Sequence, residues 1–61
     1  MTSLLKIPQV ASLLCISYRQ VLMLIAKGEL PAFRLGNSYR IAESDLEEYL
    51  EDSRVKSEWP K

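Results

Sequence analysis

The sequence predicts a small α+β domain in which two helices, a β-hairpin and a third helix follow one another along the chain. Apolar residues recur every three or four positions before Gly28, alternate with polar residues in the hairpin, and return to helical spacing at Leu46. The length of 61 residues and the 48% hydrophobic content fit a single globular unit. We therefore expect one domain over residues 1–56 and a C-terminal tail over residues 57–61.

Composition excludes several classes of function. The chain has one cysteine and no histidine, so an internal disulfide and a zinc cluster are both excluded, and the commonest general base is missing. The longest apolar run, Val21 to Ala26, is far shorter than the roughly 20 residues that span a bilayer. We expect a cytoplasmic protein that is not an enzyme and has no cofactor, no membrane partner and no small-molecule ligand.

The formal net charge of zero conceals a division of charge along the chain. Residues 1–40 contain five basic residues against Glu29 alone, a net charge of +4. Residues 41–61 contain three basic residues against seven acidic ones, a net charge of −4. Such a division can give a small domain one positive and one negative face, and the local potential steers an anionic partner better than the net charge does. The alternative is that the acidic segment is only a solvated helix face.

The first helix is predicted by the spacing of its apolar residues. Ile7, Val10 and Leu14 recur at steps of three and four, which places them on one helical face. Pro8 suits the first turn, where the missing N–H has no intrahelical partner to lose. We expect this face to pack into the core of the domain.

The second helix follows after only about three residues. Ser17 and Gln20 have the form of a capping box, so the helix is expected to run from about Tyr18 to Lys27. Gly28 is well placed to end it in a left-handed conformation. The short connection is typical of the turn in a helix-turn-helix unit, whose helices cross at a steep angle.

A β-hairpin is predicted after the second helix. Polar and apolar residues alternate over 33–35 and again over 39–41, and the intervening residues 36–38 tolerate a tight reversal. We expect the apolar residues of both strands to share the face that packs on the helices, with Arg34 and Arg40 on the opposite face. The alternative for Arg40 is a salt bridge to the acidic third helix.

A third helix is predicted near the C-terminus. Ser44 and Glu47 have the form of a second capping box. The predicted buried stripe consists of Leu46, Tyr49 and Leu50, and the ion pairs Glu51–Arg54 and Asp52–Lys56 favour one further helical turn.

The second helix carries polar groups on the side that faces away from the core. Arginine can donate two hydrogen bonds to guanine, and glutamine can pair with adenine in the major groove, which suggests Arg19 and Gln20 as base contacts. Met23 offers an apolar contact for a thymine methyl, and the helix N-terminus with the Ser17 hydroxyl favours a phosphate. Taken alone, such residues are usually exposed side chains with no role in binding. Their position on the second helix of a helix-turn-helix favours binding of double-stranded DNA.

The hairpin adds independent candidates. Arg34 and Arg40 can reach phosphates or a narrow minor groove, and the hairpin tip can approach a duplex closely. The complete set of candidate DNA-binding residues is Ser17, Tyr18, Arg19, Gln20, Met23, Lys27, Arg34, Asn37, Ser38 and Arg40.

A family resemblance spans nearly the whole chain, roughly Leu5 to Leu50. The residues that carry it are the run Leu5-Lys6-Ile7-Pro8-Gln9-Val10-Ala11-Ser12-Leu13-Leu14, then Ile16-Ser17, Val21, Leu24-Ile25, Gly28-Glu29-Leu30-Pro31-Ala32-Phe33-Arg34, Gly36, Tyr39-Arg40-Ile41 and Ser44-Asp45-Leu46-Glu47. In this pattern the chain resembles the excisionase-type, MerR-like winged helix-turn-helix domains. The resemblance implies a second helix in the major groove and a hairpin wing along the adjacent backbone or minor groove. It also implies a recombination directionality factor, which binds repeated sites beside an attachment sequence, bends the DNA and helps an integrase to excise a phage or integrative element.

The chain departs from the pattern of this family at two places. Leu22 and Met23 stand where family members often have an aromatic and then a basic residue, so one phosphate contact is expected to be missing. Cys15 stands where glycine is usual, which implies a slightly different turn, and we expect its side chain to be a small buried hydrophobe. Trp59 either folds back onto the third helix together with Val55 or anchors a partner protein.

Three functions remain open from the sequence. The first is the excisionase, with an integrase as partner and with self-association of copies on adjacent DNA sites, the acidic third helix of one copy meeting the basic wing of the next. The second is a small transcriptional regulator with the same fold. The third is a protein-binding adaptor that uses Leu22, Met23, Val55 and Trp59.

Overall fold

The computed structural model describes residues 3–55 and confirms an α+β fold. The elements in chain order are β1 (Leu4–Leu5), α1 (Ile7–Leu14), α2 (Tyr18–Ala26), β2 (Phe33–Leu35), β3 (Ser38–Ala42) and α3 (Glu43–Asp52). The sequence did not predict β1, because a two-residue strand has no period. The expected boundary between residues 1–56 and the tail, the Asp52–Lys56 pair and Trp59 lie outside the described residues.

Helices α1 and α2 form the predicted helix-turn-helix. Three residues, 15–17, connect them, and the chain bends by 104° between them. Within residues 3–55 no single helix is long and apolar enough to cross a membrane. Helices α1 and α2 have the required length and composition only when they are counted together across this bend.

Helix α1 ends in a Schellman motif with Cys15 in the left-handed position. The N–H of Ile16 donates to the carbonyl of Ala11 at 3.0 Å, and the N–H of Cys15 donates to the carbonyl of Ser12 at 3.2 Å. Cys15 has φ 58° and ψ 39° and is exposed. Both expectations for Cys15 are therefore wrong: the turn takes the conformation that glycine favours, and neighbouring aliphatic residues rather than the thiol fill the core.

Helix α2 ends in the same motif, with the predicted glycine in the left-handed position. The N–H of Glu29 donates to the carbonyl of Leu24, and the N–H of Gly28 donates to that of Ile25, both at 3.0 Å. Gly28 has φ 80°. The two helix ends thus use one backbone geometry with different residues at the critical position.

Replacing Cys15 with glycine is expected to raise the free energy of unfolding by about 0.5 to 1 kcal/mol. A left-handed non-glycine residue costs about 1–2 kcal/mol, and the greater freedom of glycine in the unfolded chain offsets about 0.4–1 kcal/mol of that gain. Urea denaturation checks the result. Cys15→Ala, which keeps the Cβ atom, is the control and should change stability little. A loss of stability in Cys15→Gly would contradict the expectation.

The three strands form an antiparallel sheet with β3 in the centre, in the order β1-β3-β2. A two-residue turn, Gly36-Asn37, connects β2 to β3, and Gly36 takes the φ of 64° that this tight reversal requires. The register pairs Arg34 with Tyr39 and Phe33 with Arg40. The hairpin prediction is therefore correct in its existence and in its turn at Gly36 and Asn37, whereas Ser38, which was predicted to lie in the turn, belongs to β3.

The predicted faces of the hairpin are wrong. Residues that lie directly opposite each other in an antiparallel pair project to the same face. Arg34 therefore shares a face with Tyr39, and Arg40 shares the other face with Phe33 and Leu35. The reason is the two-residue turn, which pairs odd-numbered positions of β2 with even-numbered positions of β3. Phe33 and Leu35 are consequently half exposed, at 50% and 52%.

A single core joins the helices to the sheet. The residue least expected in it is Leu30, which lies between α2 and β2, outside any helix or strand, and is 1% exposed. The buried cluster consists of Ile7, Val10, Val21, Leu30, Ile41 and Leu46.

Helix α3 follows β3 directly and begins at Glu43 rather than after Ser44. The predicted capping box is wrong, because Ala42 occupies the cap position and provides no side-chain hydrogen bond. The N–H of Glu43 instead donates to the carbonyl of Ser3 at 2.8 Å, which links the start of α3 to the residue that precedes β1. Ile41 near the end of β3 is buried in the core, and α3 follows this strand without a connecting loop. The position of the strand therefore sets where the helix starts.

The end of α3 differs from the prediction in part. The ion pair Glu51–Arg54 forms at 3.4 Å as expected, but the helix ends at Asp52 and gains no further turn. Leu46 is buried as predicted, whereas Leu50 is 48% exposed. Only part of the expected apolar stripe therefore faces the core.

Candidate nucleic-acid interface

The start of α2 is held by the predicted capping box. The N–H of Gln20 donates to Ser17 Oγ, and the N–H of Ser17 donates to Gln20 Oε1, both at 3.1 Å. The two roles expected for Gln20 therefore compete, since bidentate pairing with the major-groove edge of an adenine needs the amide oxygen that the cap already uses. While the cap is closed, only the amide nitrogen of Gln20 is left to donate to a ligand.

The outward side of α2 is polar and exposed, as predicted. Arg19, Gln20 and Lys27 are exposed, Met23 is 48% exposed, and the opposite side buries Val21 completely. Tyr18, a further candidate, lies one helical turn before the buried Val21 but is 53% exposed. Its position in the first turn carries it past the edge of the core and towards the hairpin.

The wing lies beside the start of α2, and a groove separates the two. This groove has a volume of about 400 Å³ and lies between the beginning of α1, the first half of α2 and the tip of the hairpin. Four candidate residues meet in it, and they are Tyr18, Asn37, Ser38 and Arg40. We refer to this surface as the wing groove.

Two polar residues of the wing groove were not among the candidates. Lys6 precedes α1 and Tyr39 lies in β3, and both line the groove beside the candidate residues. The only sequence signal for Lys6 was its place among the basic residues of the N-terminal half. The apolar part of the groove consists of Ile7, Pro8 and Leu22.

The remaining candidates lie outside the wing groove. Gln20, Met23 and Lys27 line a second groove of about 260 Å³, which α2 forms with Tyr49 of α3. Arg19 and Arg34 are exposed and line neither groove. The helix therefore presents its predicted contacts on two adjoining surfaces.

The two wing arginines make local hydrogen bonds to the backbone. Arg34 Nε donates to the carbonyl of Gly36 at 3.3 Å, which supports the turn. Arg40 Nη1 donates to the carbonyl of Tyr39 at 2.9 Å. Among residues 3–55 the single salt bridge joins Arg54 to Glu51, so Arg40 does not pair with α3 there. Both guanidinium groups keep further donors for a ligand.

Charge is separated on the molecule as well as along the chain. The wing groove contains the cations Lys6 and Arg40, and none of its lining residues is acidic. Helix α3 has six carboxylates, at Glu43, Asp45, Glu47, Glu48, Glu51 and Asp52. The wing groove therefore offers an anion two cations and several neutral donors without a repelling charge.

A steeply bent helix pair with a three-residue turn, followed by a hairpin that returns to the second helix, defines a winged helix-turn-helix architecture. Residues 4–54 match a family model described as a helix-turn-helix domain, and the chain belongs to this family.

Three curated relatives resemble the chain. It is 44% identical over 54 residues to "Uncharacterized protein YvgK" of Bacillus subtilis (strain 168), which covers 88% of this chain and 18% of the relative. It is 40% identical over 52 residues, 85% of this chain and 67% of the relative, to "Putative DNA-binding protein Rv0500A" of Mycobacterium tuberculosis (strain ATCC 25618 / H37Rv) and equally to "Putative DNA-binding protein MT0521" of strain CDC 1551 / Oshkosh. The chain thus spans less than a fifth of the first relative's length. No solved structure matches the chain.

Proposed function

We propose that this protein is an excisionase, a recombination directionality factor that binds and bends attachment-site DNA and assists an integrase in excising a phage or integrative element. The observation that carries the proposal is the wing groove, where the start of α2 and the hairpin tip meet on a surface with two cations and no carboxylate. Membership of the helix-turn-helix family supports duplex DNA as the ligand, since this architecture places its second helix in the major groove. Two relatives carry DNA-binding in their names.

In this proposal, the outward side of α2 reads the bases. Arg19 is exposed and has no hydrogen bond to the protein among the described residues, so its guanidinium is available to a guanine. Met23 offers its exposed thioether to a thymine methyl, and Lys27 contacts a phosphate. Gln20 keeps the helix start closed and donates one hydrogen bond through its amide nitrogen.

The wing then contacts the backbone beside the major groove. Arg34 and Arg40 donate to phosphates, and Asn37 and Ser38 at the tip approach the adjacent minor groove. Because the wing groove joins Asn37, Ser38 and Arg40 to Tyr18, the helix and the wing bind neighbouring parts of one duplex. Such phosphate contacts position the protein, whereas α2 supplies the sequence preference.

The excision role is supported by the family resemblance and by the polarity of the domain. With so few cations, one copy binds weakly and with a modest dependence on salt. Several copies on adjacent sites, or an integrase, then supply the missing affinity. The acidic helix α3 of one copy meets the basic wing of the next, which gives repeated sites a cooperative complex.

The test starts with selection of bound sequences from a random duplex pool at two salt concentrations. We expect a selected motif that recurs beside an attachment sequence, bending of that duplex in gels with circularly permuted sites, and enhanced excision when the cognate integrase is present. In NMR titrations, the amides of residues 17–20 and 34–40 should shift. Unshifted amides in both segments, or no gel shift on any duplex at low salt, would contradict the proposal, and a stable complex with a protein alone would favour the adaptor.

A further inference from the structure

Lys6 is the cation of the wing groove to which no role has been assigned. It lies at the cap position of α1, where its backbone N–H donates to Gln9 Oε1 at 2.9 Å. Its ammonium group forms no salt bridge and no hydrogen bond among the described residues, and the residue is exposed. The fold therefore uses the backbone of Lys6 and leaves its charge free for a ligand.

The surroundings of this charge suit a phosphodiester. Lys6 approaches the wing groove from α1, and Arg40 approaches it from β3. Tyr18 adds a hydroxyl group from a further element, α2, and Ser38 adds one from the start of β3. Donors that converge from several elements, with no carboxylate among them, match the oxygen atoms of a phosphate.

The apolar part of the groove suits the sugar that accompanies each phosphate. Ile7, Pro8 and Leu22 line the same groove as the two cations and give it an apolar part. A deoxyribose can cover these residues while its phosphates face the polar rim. A volume of about 400 Å³ is sufficient for a sugar with its phosphates.

We propose that the wing groove holds one strand of the duplex backbone and that Lys6 is its principal phosphate contact. This inference rests on the proposed DNA-binding function and adds a third point of attachment, at the start of α1, to those on α2 and the wing. With contacts on both sides of the groove, the DNA backbone is fixed relative to α2. Lys6 thus positions the reading helix without touching a base.

The test compares the salt dependence of duplex binding for wild type and Lys6→Gln. A protein that loses one phosphate contact shows a slope of log K against log salt that is smaller by about 1, and its affinity falls uniformly for selected and random duplexes. Lys6→Arg should retain the wild-type slope. Arg54→Gln is the matched control, because it removes the same unit of charge from a residue outside both grooves, and its slope should not change. Thermal unfolding establishes that each variant is folded.

The outcomes separate this inference from the function on which it rests. If wild type binds duplex DNA and Lys6→Gln keeps the wild-type slope, Lys6 is not a phosphate contact, although the protein still binds DNA. If Lys6→Gln and Arg54→Gln lower the slope equally, the effect is one of general charge and the groove is not the site. If wild type shifts no duplex at low salt, the proposed function itself fails.

Discussion

Replacing Leu30 with alanine is expected to lower the free energy of unfolding by about 3 kcal/mol, because comparable buried Leu→Ala changes cost about 2–5 kcal/mol. Leu30 is 1% exposed and belongs to the cluster that joins both helices of the helix-turn-helix to β3 and α3. A domain of 61 residues has a total stability of about 3 to 9 kcal/mol. The loss therefore removes between about a third and all of that stability.

Urea denaturation at 25 °C measures this loss, and the chain offers a matched control. Leu13 in α1 is 65% exposed, so Leu13→Ala removes the same atoms from the surface. Its stability should stay within about 0.5 kcal/mol of wild type. If both substitutions destabilised the protein equally, Leu30 would not have the buried position described here. Binding of DNA by Leu30→Ala should fall with the folded fraction and recover at lower temperature.

The second large effect is expected for Arg19→Ala. A bidentate arginine–guanine contact contributes about 1–3 kcal/mol of discrimination against other bases, so the preference for a selected duplex over a random one should fall about 5- to 150-fold. Arg34→Ala should weaken binding to both duplexes equally, because its contact is to a phosphate. Fluorescence anisotropy with both duplexes at one salt concentration measures the two ratios.

The interpretation of Arg19 has a clear counter-result. Equal losses on the selected and random duplexes for Arg19→Ala would make it a backbone contact rather than a base contact. Arg54→Ala serves as the control, since Arg54 pairs with Glu51 at 3.4 Å at the end of the acidic helix. Its effect on both duplexes should be small.

Local signals were reliable where neighbouring residues alone decide the geometry. The capping box at Ser17 and Gln20 forms with both hydrogen bonds, and Gly28 takes the left-handed conformation that ends α2. The same reasoning failed for Ser44, because the backbone of β3 leads directly into α3 and Ser3 supplies the acceptor for the first N–H. The residues of a capping box only favour a helix start at that position. Where a strand runs directly into a helix, the backbone connection fixes the first helical residue instead.

For the candidate contacts too, predictions were correct where they depended only on local spacing. The spacing of α2 correctly placed Arg19, Met23 and Lys27 on the exposed side, because they depend only on the helical period. The exposure of Tyr18 and the place of Lys6 in the wing groove were not predicted. Both depend on where the hairpin returns to the helices, a distance in space that no local pattern records.

The sequence by itself determined the order of the three helices and the hairpin, the helix-turn-helix and the separation of charge, because hydrophobic period, helix ends and ionic side chains are local properties. Only the tertiary structure decided the faces of the hairpin, the burial of Leu30 and the meeting of Lys6 with Arg40 in one groove. The physical reason is register: a two-residue turn sets which residues of β2 and β3 share a face, and the packing of that sheet on α1 and α2 then sets which cations become neighbours.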